Sequence, residues 1–258
     1  MAPGTLKARY LPILLGVVLV GLGLWAQQTQ APAVRGLRHR LDDVAYDLRF
    51  RLTMPFSGKD EDRVAIVNID ERSLQAEGHW PWPRSRVADL VHRIFDEGAV
   101  VVGLNMAFPE PAHNPAREVA RKLKKAPGLH PSSRVLAALN SAAPALDGDT
   151  ALARALHGQE VVMGYMLGRS GSNKGALGPA LPAEGPRRPA KAATRSMDSF
   201  QGNLPALQKA AASGGFFSLF PDDDGILRRY PLILTYKDTL YPSLALEMTR
   251  LYQLADKV

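Results

Sequence analysis

The sequence contains no cysteine, which excludes disulfides and thiolate metal sites and leaves the compartment open. Its six histidines (His39, His79, His92, His113, His130 and His157) show no metal-ligand spacing such as HExxH. Ser85 stands in "PRSRV" rather than in a G-x-S-x-G elbow. No glycine-rich phosphate loop follows a strand. Aromatic residues are only 7%, and none interleave with the basic segments, so the stacking platform of a single-strand nucleic-acid binder is missing. No cofactor, no metal and no nucleic acid are expected.

What is present begins with charge. The net charge is +7, and its excess lies in two segments. Residues 113–134 hold six Lys or Arg against Glu118, and residues 168–195 hold six against Glu184. Both read as solvated surface, with anionic headgroups a partner of either segment near a bilayer.

The N-terminus places Lys7 and Arg9 before an apolar run from Leu11 to Ala26, bracketed by Tyr10 and Trp25. This pattern predicts a signal anchor over residues 10–33, with 1–9 cytoplasmic and the rest exported. A signal peptide cleaved near Ala31-Pro32-Ala33 is the alternative. Residues 34–56 then predict a juxtamembrane helix, since Leu37, Leu41, Val44, Ala45, Leu48 and Leu52 recur at helical spacing. It serves as a stalk, as a pairing helix in a homodimer, or as a first helix packed on its own core.

Residues 57–258 read as one α/β domain in which helices cover a mixed sheet. "RVAIVNID" (63–70) reads as a strand buried on both faces, and "AVVVGLNMAF" (99–108) as a second. Between them Val87, Leu90, Val91, Ile94 and Phe95 form one helical face, capped by Ser85 and ended by Gly98, which makes a βαβ unit. Residues 109–148 allow one basic helix at most. A helix over 149–158 capped by Asp149 leads into strand 160–167. Residues 168–198 read as a mobile loop. Strand "GGFFSLF" and the long strand "ILRRYPLILTYK" read as a hairpin around "PDDDG", with Arg228 and Arg229 offsetting the aspartates. That turn fails the spacing of a calcium loop. Ser243 or Pro242 starts a closing helix.

The C-terminal edge of a parallel sheet is where α/β proteins place ligands. Here it offers Asp70, Glu71, Asn105 and Glu110. Paired carboxylates can serve acid–base work or hold a hard cation, although Asp70 also suits a cap of the turn that follows it and Glu71 a solvated position. Trp80 and Trp82 can stack on a ligand and Arg84 can meet an anion, or all three can pin their loop to the core.

Taken in order, "DDVAYDLRFRLTMP", "VAIVNIDERSL", "GHWPWPRSR", "GAVVVGLNMAFPEP", "LARALHGQEVVMGY", "GNLPALQ", "GGFFSLFPDDDGILRRYPL" and "YPSLALEMTRL" resemble the CHASE type 2 family of extracytoplasmic sensory domains. The resemblance covers about residues 37–252. It implies a sensory input domain of a bacterial receptor in the cytoplasmic membrane, with the sensor facing the periplasm or cell exterior. A small-molecule or protein ligand is implied. "GNLPALQ" and "DDDGILRR" are similar to sensors fused to class III adenylate or guanylate cyclases. The further membrane helices and output domain that usually follow the sensor in the family are expected to lie outside these 258 residues. Two side chains depart from the family pattern: it commonly has an aspartate where this chain has Asn105, and often one where it has Ala112. Both weaken a cation site at the sheet edge. Two further readings remain: an anchored or secreted periplasmic hydrolase using Asp70, Glu71 and Glu110, and a stand-alone module that partners a full-length receptor.

Overall fold

A computed structural model describes residues 4–29, 31–54, 64–128, 130–182 and 194–253. Residues 1–3 of the expected cytoplasmic segment, 55–56 of the expected juxtamembrane helix, Arg63, and Arg187, Arg188 and Lys191 of the second basic segment lie outside them. The chain divides into two units, Met1–Asn68 and Ile69–Val258.

The first unit holds helix α1 (Gly4–Gln28) and helix α2 (Pro32–Thr53). Among the described residues, no helix is long and apolar enough to cross a membrane. The expected spanning segment at 10–33 is helical up to Gln28 and again from Pro32, and it is unsupported as a span. Pro32 opens α2 where its missing N–H costs nothing. Leu37, Leu41, Val44, Leu48 and Leu52 are 58–65% exposed, so the apolar stripe of α2 is open.

The second unit opens with α3 (Glu71–Glu77) and α4 (Arg84–Asp96). Val87 and Val91 of α4 are fully buried, as their spacing predicts, and Gly98 adopts φ +94° just past the helix end. Pro83, not Ser85, precedes the first turn, its ring holding φ at −53°. Strand β1 (Val102–Leu104) follows, shorter than the expected 99–108.

The expected strand at 63–70 is not formed. Residues 64–70 have no ladder partner, and Val64, Ile66 and Val67 are 82%, 89% and 57% exposed. A β-branched sequence fits a pleated surface but does not supply one; only cross-strand bonding makes the strand. The parallel partner of β1 is instead β2 (Val161–Gly168), with Val102 opposite Val161. Three helices intervene: α5 (Pro115–Lys125), α6 (Ser133–Ala142) and α7 (Gly148–Leu156). Residues 109–148 thus hold two helices rather than one at most, because Ser132 supplies a second cap by accepting from the Val135 N–H. The cap of α7 is Asp147 rather than Asp149.

β2 is the organising strand. Its first half pairs in parallel with β1 and with β5 (Ser213–Phe216), and its end pairs antiparallel with β4 (Ser199–Gln201). A second sheet has the order β3 (Arg195–Met197), β6 (Ile233–Tyr236), β7 (Thr239–Pro242). The expected hairpin of "GGFFSLF" with "ILRRYPLILTYK" is therefore replaced by a β6–β7 hairpin. Pro231 cannot donate to a ladder in the middle of the longer strand. Lys237 and Asp238 make the turn with φ of 45° and 64°, the primed geometry that matches strand twist.

Within the expected 168–198 loop, residues 174–176 bridge to 201–203, the Leu181 N–H donates to the Leu240 carbonyl, and 195–197 form β3. Backbone groups there borrow partners from neighbouring strands, which composition alone cannot reveal.

Helix α8 (Pro205–Ala210) packs on α7, and α9 (Leu244–Tyr252), capped by Ser243, packs on β5. A Cβ at Gly215 would lie 2.6 Å from the Leu244 Cα, so glycine is required where α9 crosses the sheet. One core gathers Val87, Val91, Leu152, Leu156, Met163 and Leu207. The other gathers Tyr165, Leu167, Met197, Phe216, Leu234 and Tyr236. β2 contributes to both. The mixed-sheet α/β domain with covering helices is the observed class.

Candidate functional site

The proline-rich turn before α4 holds the two tryptophans. The Trp82 Nε1–H donates to the Gly78 carbonyl at 2.7 Å, which fixes the indole. Trp80 lies 6.1 Å from it, tilted at 58° and 43% exposed. The Arg86 guanidinium stands 6.0 Å over the Trp82 ring. A half-open aromatic pair is thus held at the start of α4.

Arg84 is already occupied. Its guanidinium pairs with Asp149 of α7, donates to the Glu110 carbonyl and lies 4.9 Å over the Phe108 ring. The other Asp149 oxygen accepts from the Ala112 N–H at 2.8 Å. Arg84 therefore ties α4, α7 and the 108–112 segment together, and the pinning role takes the place of a free anion receptor. Asp149 is the partner that sequence reasoning missed, because an ion pair 65 residues apart leaves no local pattern.

The carboxylates expected to act together are separated in role. Asp70 caps α3 by accepting from the Ser73 N–H at 2.9 Å and the Ser73 hydroxyl at 2.8 Å, and these bonds hold its carboxyl below the usual range. Glu71 is exposed in the first turn of the same helix. The Glu110 side chain pairs with Lys174 at 3.1 Å on the surface. Asn105 is exposed just past β1. The structure joins Arg84 to the Glu110 backbone and leaves Asp70 and Asn105 in separate local roles. Among the described residues, no group of three His, Asp or Glu is placed to hold a metal ion.

Beneath this edge runs a buried polar chain. Fully buried Asn203 accepts from the Phe108 N–H at 2.8 Å and donates to the Gly164 carbonyl at 3.0 Å and to Gln208 Oε1 at 3.1 Å. Gln208 donates to the Ser213 carbonyl at 3.3 Å. The Ser213 hydroxyl bonds Glu247, which is 3% exposed and accepts from Arg250 at 2.7 and 3.0 Å. Groups spread over the chain thus connect the end of the 99–108 segment to α9. A buried network of this kind is costly unless fully satisfied, and each of these side chains is.

A family model for the CHASE2 domain matches residues 15–258. The chain belongs to the CHASE2 domain family. No curated protein and no solved structure matches it. CHASE2 domains are extracytoplasmic sensory domains, which supports a sensory role for this chain. The CHASE2 assignment accounts for the specific order of motifs from "VAIVNIDERSL" to "YPSLALEMTRL".

Proposed function

We propose that this CHASE2 domain is the sensory input of a bacterial membrane receptor, anchored through α1, paired as a homodimer through α2, and coupled to a cytoplasmic nucleotide cyclase. The observation that carries the reading is the polar chain from Phe108 through Asn203 and Gln208 to Glu247 and Arg250 of α9. A ligand can shift an equilibrium only by preferring one of two arrangements. A ligand seated on the 108–112 segment acts on Phe108, whose N–H is hydrogen-bonded to Asn203, and a change there reaches α9 through satisfied buried bonds. The ligand is a small molecule or a protein surface that fits a half-open aromatic pair.

Anchoring is supported by α1 itself. Ile13, Leu14, Leu15, Val17, Val20 and Leu22 are each 55–65% exposed and lie all round the helix, a distribution suited to hydrocarbon rather than to one core-facing stripe. Pairing is supported by the open Leu37–Leu41–Val44–Leu48 stripe, whose alternating steps of four and three are those of a two-helix seam. The cyclase output rests on the resemblance of "GNLPALQ" and "DDDGILRR" to cyclase-linked sensors. Asp70 and Glu110 are committed to Ser73 and Lys174, so no observation favours the hydrolase reading.

The test is an immunoblot of the native polypeptide in fractionated cells, using an antibody against residues 64–253. A membrane-fraction band well above 28.0 kDa, with cyclic nucleotide formation in the immunoprecipitate, is expected. A soluble band at the chain's own mass would overturn the receptor reading.

A further inference from the structure

α5 is an amphipathic helix whose two faces divide by chemistry. Ala116 and Ala120 are buried against the fold, and Asn114 caps the first turn by accepting from the Arg117 N–H. Beside that face Arg117, Arg121, Lys124 and Lys125, all exposed, stand at i, i+4, i+7 and i+8, which places four cations along one flanking stripe. α6 packs beside α5 and contributes Asn140. Two overlapping, shallow and largely open depressions of about 380 and 320 Å³ lie along this stripe. Arg121 and Lys125 line both, with Ala120 and Ala126 beneath.

The acidic complement is small. Glu118, the only carboxylate of α5, is taken by Lys122 at 2.8 Å and by His113, and its carboxyl is held low chiefly by Lys122. Arg117 stands 4.0 Å from Asp147. Arg121, Lys124 and Lys125 have no ion-pair partner among the described residues. Three cations outside any direct ion pair, an amide donor and an apolar floor make a groove that attracts an oxyanion and repels a cation.

We propose that the α5–α6 groove is a binding site for a phosphate-bearing anion, held by Arg121, Lys124 and Lys125 with Asn140 as a neutral donor. The same chemistry is offered by a free polyphosphate and by an anionic lipid headgroup. Binding is read without any signalling output, so failure here leaves the sensory reading intact, and failure of that reading leaves the groove.

The experiment titrates inorganic pyrophosphate into the full chain in neutral detergent micelles at low salt, followed by calorimetry. The triple variant Arg121→Gln, Lys124→Gln, Lys125→Gln removes three exposed cations. The control Arg72→Gln, Arg93→Gln, Arg169→Gln removes the same charge from exposed positions elsewhere. Saturable binding by the wild type, weakened about tenfold by the groove variant and little changed in the control, is expected from exposed ion contacts. Repeating the titration in micelles doped with phosphatidylglycerol assigns the source. Weaker pyrophosphate binding there identifies the headgroup as occupant, and unchanged binding identifies a free anion. Absence of saturable binding, or equal weakening by the control, would overturn the site.

Discussion

Arg84 and Asp149 form a partly buried ion pair, their side chains 11% and 20% exposed, that locks the start of α4 to the first turn of α7. The pair also holds the 108–112 segment, because each partner bonds backbone there.

Replacing Arg84 with alanine leaves Asp149 without its cation and the Glu110 carbonyl without its donor. The expected loss is about 3 kcal/mol, the range for breaking a buried pair from one side. Urea unfolding of Arg84→Ala, Asp149→Ala and the double variant checks this. The double variant should lose clearly less than the sum, since one interaction is removed twice.

Asn203→Leu keeps side-chain volume but strips three partners, the Phe108 N–H, the Gly164 carbonyl and Gln208. Stranding buried polar groups costs about 1–3 kcal/mol each. A fall in unfolding free energy of about 3 kcal/mol or more is expected. A change below about 1 kcal/mol would mean that the chain to α9 carries no stability, and with it no coupling.

Acid should weaken the 222–228 turn in a defined window. Arg228 hydrogen-bonds Asp224 and holds its carboxyl down to about 2, against an ordinary value of 3.8. A depressed carboxyl adds stability that is full above the unfolded value and is lost as pH falls through the folded one. Asp224→Asn should therefore be less stable than wild type above about pH 4, with the gap closing towards pH 2. Denaturant midpoints from pH 6 down to pH 2 give the test.

Gly215→Ala places a methyl 2.6 Å from the Leu244 backbone at the start of α9. Overpacking against backbone costs about 1–3 kcal/mol. Thermal unfolding should shift downward, and hydrogen exchange in α9 should rise before that in α4.

If α2 pairs two copies, Leu41→Glu with Leu48→Glu puts like charges in the seam and should yield monomers by light scattering, with helical content retained. A wild type that is itself monomeric at micromolar concentration would remove the pairing role from this helix.

The helices were legible because their signals are local. The i, i+3, i+4 spacing of Val87, Leu90 and Val91, the Ser243 cap and Gly98 at the C′ position each sit within a turn of what they define. β2 was legible as a continuous apolar run. Strand partners were not, because pairing is decided by neighbours far along the chain. "VAIVNI" has the composition of a buried strand and no ladder, whereas the short "VGL" of β1 finds one on β2. The β6–β7 hairpin turn was hidden by its residues, since Lys237 and Asp238 lack the glycine or asparagine that marks positive φ. At the candidate site, Asp70 was recognisable as a cap. Arg84 needed Asp149, and Asn203 needed Phe108, before either could be understood.

The chain has three tryptophans, Trp25, Trp80 and Trp82. None belongs to either hydrophobic core, and two stand together on the turn before Arg84. With excitation selective for indole rather than for the tyrosines of the second core, emission from this domain is therefore a local optical signal, and Trp25→Phe leaves only the paired indoles. A solute that touches this turn should quench or shift the indole emission, which gives the proposed ligand site a built-in readout.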